Sequence, residues 1–204
     1  MSEANTPHLP PTFHRLAWSN LAAQSAEQIA LAAAPIVAVL LLGVGEGQTG
    51  LLQTALTLPF ILFAIPAGLL ADRISRRALM AGAEALRAVA LLVILLMIGL
   101  NLLTLPLLAS AGFIAVCGTV VYSVAAPALV PSLVSPQLLP VANARIELAR
   151  TIAFAAGPAL GGVIVGWLGG APAFGFATAL SVIAVVLLSG IYEPSRSPAP
   201  RRHP

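Results

Sequence analysis

The sequence predicts an all-α membrane protein, a bundle of six transmembrane helices, on three observations. Of its 204 residues 59% are hydrophobic, only 8% are charged, and the mean hydropathy is +0.98, whereas soluble domains carry about 25% charged residues. Six mainly apolar stretches reach about 20 residues, the length of helix that crosses roughly 30 Å of hydrocarbon. None shows the alternation of barrel strands, and lipid admits only helices and closed barrels. This composition disfavours soluble enzymes and nucleic-acid-binding domains.

The six predicted spans lie within a transmembrane domain of residues 13–192. Their approximate bounds are 21–44, 50–70, 78–100, 103–126, 146–168 and 171–191. Most connections are short, which predicts that consecutive spans are antiparallel neighbours, and residues 127–142 are expected to form the one long internal loop. The polar residues 1–12 and the proline-rich residues 193–204 are predicted to be solvated, disordered tails.

The distribution of arginine predicts the orientation in the membrane. The chain has no lysine, and eight of its arginines lie before the first span or after the second, fourth and sixth: Arg15, Arg73, Arg76, Arg77, Arg145, Arg196, Arg201 and Arg202. The intervening loops have none. By the positive-inside bias, both termini are predicted to be cytoplasmic, in a multi-pass protein of the cytoplasmic membrane.

Polar residues interrupt the first span on one face. Gln24, Glu27 and Gln28 follow the i, i+3, i+4 spacing of a helix face, which must turn towards protein or water because an acid in the centre of a bilayer costs about 2.5–3.5 kcal/mol on insertion scales. Two interpretations stay open. The face lines a path for substrate or protons, or Glu27 lies close enough to the interface to be hydrated.

Two further acid and base pairs occur at i, i+3 spacing near the ends of spans. Glu84 and Arg87 belong to the third span, and Glu147 and Arg150 to the fifth. Each pair either neutralises itself locally or joins a charge network with the loop arginines.

Features of enzymes and metal sites are absent from the sequence. Cys117 is the single cysteine, and the three histidines, His8, His14 and His203, lie in or beside the predicted tails without metal-ligand spacing. No phosphate-binding loop and no nucleophile with a neighbouring base is visible. We therefore expect no enzymatic activity, metal or cofactor.

The loop after the second span carries a recognisable motif. Residues 68–80 read GLLADRISRRALM, which resembles the signature loop of the major facilitator superfamily at Gly68, Leu70, Asp72, Arg73, Arg76 and Arg77. Ser75 replaces the second glycine of that signature, which makes a positive φ at this position less favourable. The resemblance implies a gating role for Asp72, which in the family caps a helix of the opposite half and holds the outward-open state.

A second motif lies in the fifth span. Gly157, Pro158, Gly161 and Gly162 resemble the GPxxGG end of the superfamily's antiporter motif. Ala153, Gly157, Gly161 and Val165 recur every four residues, so they form a smooth stripe suited to packing against another helix, while Pro158 removes a backbone donor. Generic packing of small residues would give the same spacing.

The order of these features is similar to the branch called transmembrane secretion effectors, over roughly residues 13–191. That resemblance implies a small-molecule exporter that works by alternating access, with possible coupling to the proton gradient. The fourth span lacks the arginine found in many proton-coupled exporters of the superfamily, which weakens the inference of antiport. The apolar bundle favours a lipophilic or amphipathic substrate.

Members of the superfamily are built of two six-helix halves, and this sequence resembles the N-terminal one. We therefore expect the chain to need a second half, either as a homodimer or as a separate half-transporter chain. The alternative is a truncated or regulatory membrane protein that binds a full-length transporter and has no transport of its own.

Overall fold

The computed structural model describes residues 9–191, except for the side chain of Asp72. Within this range there are six α-helices, one 3-10 turn (Pro136–Leu138) and no strand. All six helices are long and apolar enough to cross a membrane, so the predicted fold class is confirmed. The helices are α1 (Pro11–Leu42), α2 (Glu46–Arg73), α3 (Arg76–Gly99), α4 (Leu105–Leu133), α5 (Leu139–Leu168) and α6 (Gly170–Ser189).

Local chemistry explains several helix ends. Gly43 ends α1 with a φ of +63°, a left-handed conformation that glycine adopts without strain. Ser75 has a φ of −59°, and its Oγ accepts a hydrogen bond from the Ala78 amide as the N-cap of α3. The serine that departs from the family signature therefore caps the next helix, and no positive φ is required there.

The helices extend beyond the predicted spans. Helix α1 begins at Pro11, and α4 continues past Pro127 and Pro131 to Leu133. The predicted loop at 127–142 is therefore wrong, because the connection between α4 and α5 comprises only residues 134–138. Proline is tolerated in membrane helices when other donors compensate the carbonyls it leaves free. The predicted N-terminal tail at 1–12 is two residues too long, because Pro11 and Thr12 form the start of α1. Residues 1–8 and the predicted tail at 193–204 lie outside the described residues.

The packing order of the helices differs from their order along the chain. Helix α1 packs mainly against α5 and α6, α3 against α4 and α6, and α2 against α4. Helix α1 hardly touches α2, and α2 hardly touches α3. The prediction that a short connection makes consecutive spans neighbours is therefore wrong for α1 and α2, whereas α3 packs against α4 and α5 contacts α6. Side-chain fit between helix faces selects the partners.

The small-residue stripe of α5 shows how one partner is selected. Its four members, Ala153, Gly157, Gly161 and Val165, are all buried. A Cβ atom at Gly157 would overlap the side chain of Gln28, and one at Gly161 would lie 2.9 Å from the Ile29 carbonyl oxygen. The stripe therefore lets α5 approach α1 closely. Pro158 is exposed, and no described atom crowds Gly162.

Candidate transport site

A buried ionic cluster joins three helices in the middle of the bundle. Arg87 of α3 is only 2% exposed, and its Nη1 lies 3.7 Å from Oε2 of Glu27 on α1. The same Nη1 donates a 3.0 Å hydrogen bond to Oγ1 of Thr119 on α4. Glu84, one turn before Arg87, is fully buried and pairs with Nη2. We call Glu27, Glu84, Arg87 and Thr119 the ionic cluster.

Close packing of α3 on α4 positions Arg87. At Gly118 an added Cβ would lie 2.5 Å from the Ala83 carbonyl oxygen and 3.5 Å from the Arg87 Cβ. The absence of a side chain at Gly118 therefore brings the backbones together at the level where Arg87 meets Thr119. Sequence reasoning missed both α4 residues, although a glycine followed by a threonine in an uncharged span is a visible signal for close packing and a polar contact.

The ionic cluster carries an excess negative charge when all its groups are ionised, since two carboxylates face one guanidinium. Glu27 is 7% exposed, and no hydrogen bond from any described residue reaches its carboxylate. Buried charges are costly unless they are paired and hydrogen-bonded. Both oxygens of Glu84 are also buried without a hydrogen-bond partner, but Glu27 is the acid of the cluster that lines the two cavities, where its carboxylate can accept a donor or bind a cation.

Two cavities meet at the ionic cluster. A small apolar cavity of about 20 Å³ lies between Glu27, Arg87 and Thr119 and the apolar side chains of the bundle. A larger and more polar cavity of about 210 Å³ begins at Glu27 and Thr119 and ends among side chains of α2 and α5. Apart from the cluster, the apolar cavity is lined by Ala30, Leu31, Ala34, Leu56, Leu91, Ile94, Leu108, Gly112, Ala115, Val116 and Phe174.

The three polar residues predicted on one face of α1 separate in the structure. Gln24 and Glu27 line the polar cavity. Gln28 is 8% exposed and packs instead on Gly157 of α5. The structure therefore places two of the three candidate path residues beside a cavity and the third in a helix contact.

The second predicted acid and base pair, on α5, forms only the contact between its own two members. Glu147 Oε1 lies 3.5 Å from Arg150 Nη1, and the two side chains are 65% and 53% exposed. Arg150 also lies 5.4 Å above the ring centroid of Phe154. Both charges line the rim of the polar cavity, and within residues 9–191 neither pairs with a loop arginine.

The arginines of the signature loop contact helix ends. Arg77 donates from Nε to the Leu188 carbonyl at 3.0 Å and from Nη2 to that of Ser189, while Arg76 donates to the Ala128 carbonyl in α4. Arg15, at the start of α1, donates to the Gly190 carbonyl. The donors at residues 188–190 satisfy carbonyls that the end of α6 leaves unpaired and complement its negative dipole end, whereas Ala128 lies inside α4.

Other members of the predicted motif stand apart from these contacts. Arg73 is exposed, and no described atom lies near the space beside Gly68. Asp72 is the penultimate residue of α2. Because its side chain is not described, its predicted gating role stays a prediction.

A family-level comparison agrees with this geometry. The sequence model described as "transmembrane secretion effector" matches residues 11–201, which include all six helices. The chain belongs to this family of the major facilitator superfamily. The resemblance stated from the signature loop is thus confirmed, and the six apolar helices fit the N-terminal half of such a transporter. A comparison with curated proteins finds no match.

As a transmembrane secretion effector, the protein is a multi-pass membrane transporter of the major facilitator kind. A resident metal has no evident site within residues 9–191, where no three His, Cys, Asp or Glu side chains come together as ligands.

Proposed function

We propose that this transmembrane secretion effector exports a small amphipathic cation by alternating access, with Glu27 as the residue that binds the positive charge. The observation that carries the proposal is the position of Glu27, buried where an apolar cavity meets a more polar one. The larger cavity joins Glu27 to the aromatic side chains of Phe60 and Phe154, so an amphipathic cation can place its charge at Glu27 and its apolar body against these rings. The excess carboxylate of the ionic cluster favours a positive ligand over a neutral or negative one.

Coupling to a proton gradient is part of the proposal. A proton and a cation compete for one carboxylate, so entry of the first at Glu27 promotes release of the second. The fourth span has no arginine, but Arg87 of α3 donates to Thr119 of that span. The guanidinium of a neighbouring helix therefore contacts α4, which supports proton coupling although α4 itself has no arginine.

A second six-helix unit completes the path in this proposal. Helices α2 and α5 are the least buried of the bundle. The rim of the polar cavity between them exposes Phe60 and Phe154, 40% and 48% respectively, beside Glu147 and Arg150. A second copy of the chain or a separate half-transporter would cover this rim and enclose the cavity.

The proposed orientation places the arginine-bearing end in the cytoplasm. Arg15, Arg76 and Arg77 gather at the end of the bundle where α1 and α3 begin and α4 and α6 finish. In a Cys117→Ala background, a cysteine placed at Ser75 should react with an impermeant maleimide only from the cytoplasmic side. A cysteine placed at Gly47 should react only from outside. The reverse pattern would contradict the orientation and the direction of export.

Export is tested by loading cells with tetraphenylphosphonium, a lipophilic monocation, and following its loss. Glu27→Gln should slow efflux by at least about tenfold, because removing one partner of a buried charge contact costs on the order of 2–5 kcal/mol. Glu46→Gln is the matched control, since Glu46 is an exposed acid at the start of α2. Wild-type efflux by Glu27→Gln at equal protein levels would exclude the proposed site.

The same assay separates a transporter from a regulatory chain. Cells that express only this chain should expel the cation, and crosslinking in mild detergent should trap a pair of six-helix units. Absence of efflux by the chain alone, together with co-purification of a full-length transporter, would support the regulatory alternative.

A further inference from the structure

We propose that a groove on the outer face of α1, α5 and α6 holds one anionic phospholipid, with an acyl chain in the groove and the phosphate at Arg145. This inference does not depend on the transported substrate. The groove shares no residue with the two cavities that meet at the ionic cluster.

The groove is a long apolar depression on the outside of the bundle. Its main part has a volume of about 470 Å³. The walls are large side chains, each about half exposed or more, namely Trp18, Ile152, Leu160, Phe176 and Ile183. Gly157 and Ala156 supply a floor without bulky side chains. The shape and composition suit a hydrocarbon chain.

A second depression continues the groove to the arginine-bearing end. It has a volume of about 440 Å³ and shares Trp18, Leu21 and Ile152 with the first, so the two form one channel along α1 and α5. The continuation ends at His14 and Arg145. The channel is therefore apolar along its length and basic at one end.

Arg145 is free to bind an anion. It is exposed, and no hydrogen bond or ion pair joins it to any residue within 9–191. The neighbouring Arg150 differs, because it pairs with Glu147 and lines the polar cavity. Exposed His14 offers a second donor beside Arg145. A basic site between membrane helices on the cytoplasmic side is the arrangement that binds acidic lipid headgroups. This part of the inference rests on the proposed orientation, in which the arginine-bearing end is cytoplasmic.

The length of the channel matches one leaflet. From Arg145 to Leu160, α5 rises about 22 Å at 1.5 Å per residue. Half of a bilayer, headgroups included, measures roughly 20–22 Å. A phospholipid whose phosphate lies at Arg145 would therefore place the end of its acyl chain near Leu160, at the bilayer midplane. Trp18 lies where the two depressions join, so its side chain would contact the acyl chain there.

Native mass spectrometry of the purified full chain tests this site. Phosphatidylglycerol and phosphatidylcholine with identical acyl chains are added in equal amounts. The wild type should retain phosphatidylglycerol preferentially, with one lipid molecule bound per protein molecule. Arg145→Gln should reduce that retention by about fivefold, the ratio expected for one arginine near an acidic lipid. Arg150→Gln is the matched control on the same helix and should retain the lipid as the wild type does.

A second pair of variants tests the groove itself without changing charge. Ala156→Phe fills the floor and should displace both lipids, whereas Ala155→Phe, at an exposed neighbour outside the groove, should displace neither. Equal retention of the two lipids by the wild type would overturn the proposal. Unchanged lipid retention in either Arg145→Gln or Ala156→Phe would also overturn it. So would a wild-type dimer that Ala156→Phe dissociates, since the groove would then bind a second copy of the protein.

Discussion

The two acid and base pairs of this transporter have the same sequence spacing and opposite environments. Glu84 and Arg87 on α3 are almost completely buried, whereas Glu147 and Arg150 on α5 are more than half exposed. Both pairs form the local contact that an i, i+3 spacing predicts. The difference teaches that spacing determines the local pair, while the helix packed opposite determines whether the pair is part of the core.

The surroundings of the two pairs explain the difference. Helix α3 lies against α4 at Gly118, which brings Thr119 and, from α1, Glu27 within reach of Arg87. The polar face of α5 lies on the cavity rim, where Glu147 and Arg150 are open to solvent. An exposed pair contributes about 0.2–1 kcal/mol, whereas breaking a buried pair costs about 3–5 kcal/mol.

The largest expected effect separates the two arginines. Arg87→Gln should lower the free energy of unfolding by about 3–5 kcal/mol, because Glu27 and Glu84 lose the only cationic side chain within 4 Å of either carboxylate in the described bundle. Arg150→Gln should change it by less than about 1 kcal/mol. Unfolding of the purified protein in mixed micelles, followed by circular dichroism, measures both. Equal losses in the two variants would show that Arg87 is not buried in a charge cluster.

A smaller effect is expected from the helix contact that holds Arg87. Gly118→Ala should reduce stability by about 1–3 kcal/mol, because its new methyl group would overlap the backbone of Ala83. Gly82→Ala is the matched control on α3, where no described atom lies within 4 Å of the added group. The same unfolding measurement applies. If Gly82→Ala were the more damaging substitution, the close contact of α3 and α4 would be excluded.

The smallest expected effect concerns the N-terminal caps of α3 and α5, the helices that carry the two acid and base pairs. Helix α3 has a side-chain cap at Ser75, whereas α5 begins after Leu138 without one. Ser75→Ala should lower the free energy of unfolding by about 1 kcal/mol, and Ser75→Gly by only a few tenths. A larger loss for glycine than for alanine would show that the serine has another role, since glycine is the better N-cap of the two.

Sequence alone predicted the fold class because apolar length decides which segments cross a bilayer. It also indicated Glu27 as a candidate functional residue, since an acidic side chain in a membrane span is energetically costly and usually marks a functional site. It did not predict which helices pack together, because that depends on fits such as Gly118 against Ala83, between residues far apart in the chain. For a related reason, the sequence did not predict that Arg15 and Arg77 cap the end of α6. Their acceptors at residues 188–190 lie more than 100 positions away.

The most direct test of the buried ionic cluster is a double-mutant cycle on unfolding free energy. One cycle combines Glu27→Gln with Arg87→Gln, and the other Glu147→Gln with Arg150→Gln. We predict a coupling of at least about 1.5 kcal/mol for Glu27 and Arg87, a contact between two helices away from water. For the exposed pair we predict no more than about 0.5 kcal/mol. A coupling near zero between Glu27 and Arg87, or equal couplings in the two cycles, would contradict a cluster that links α1 to α3 at the transport site.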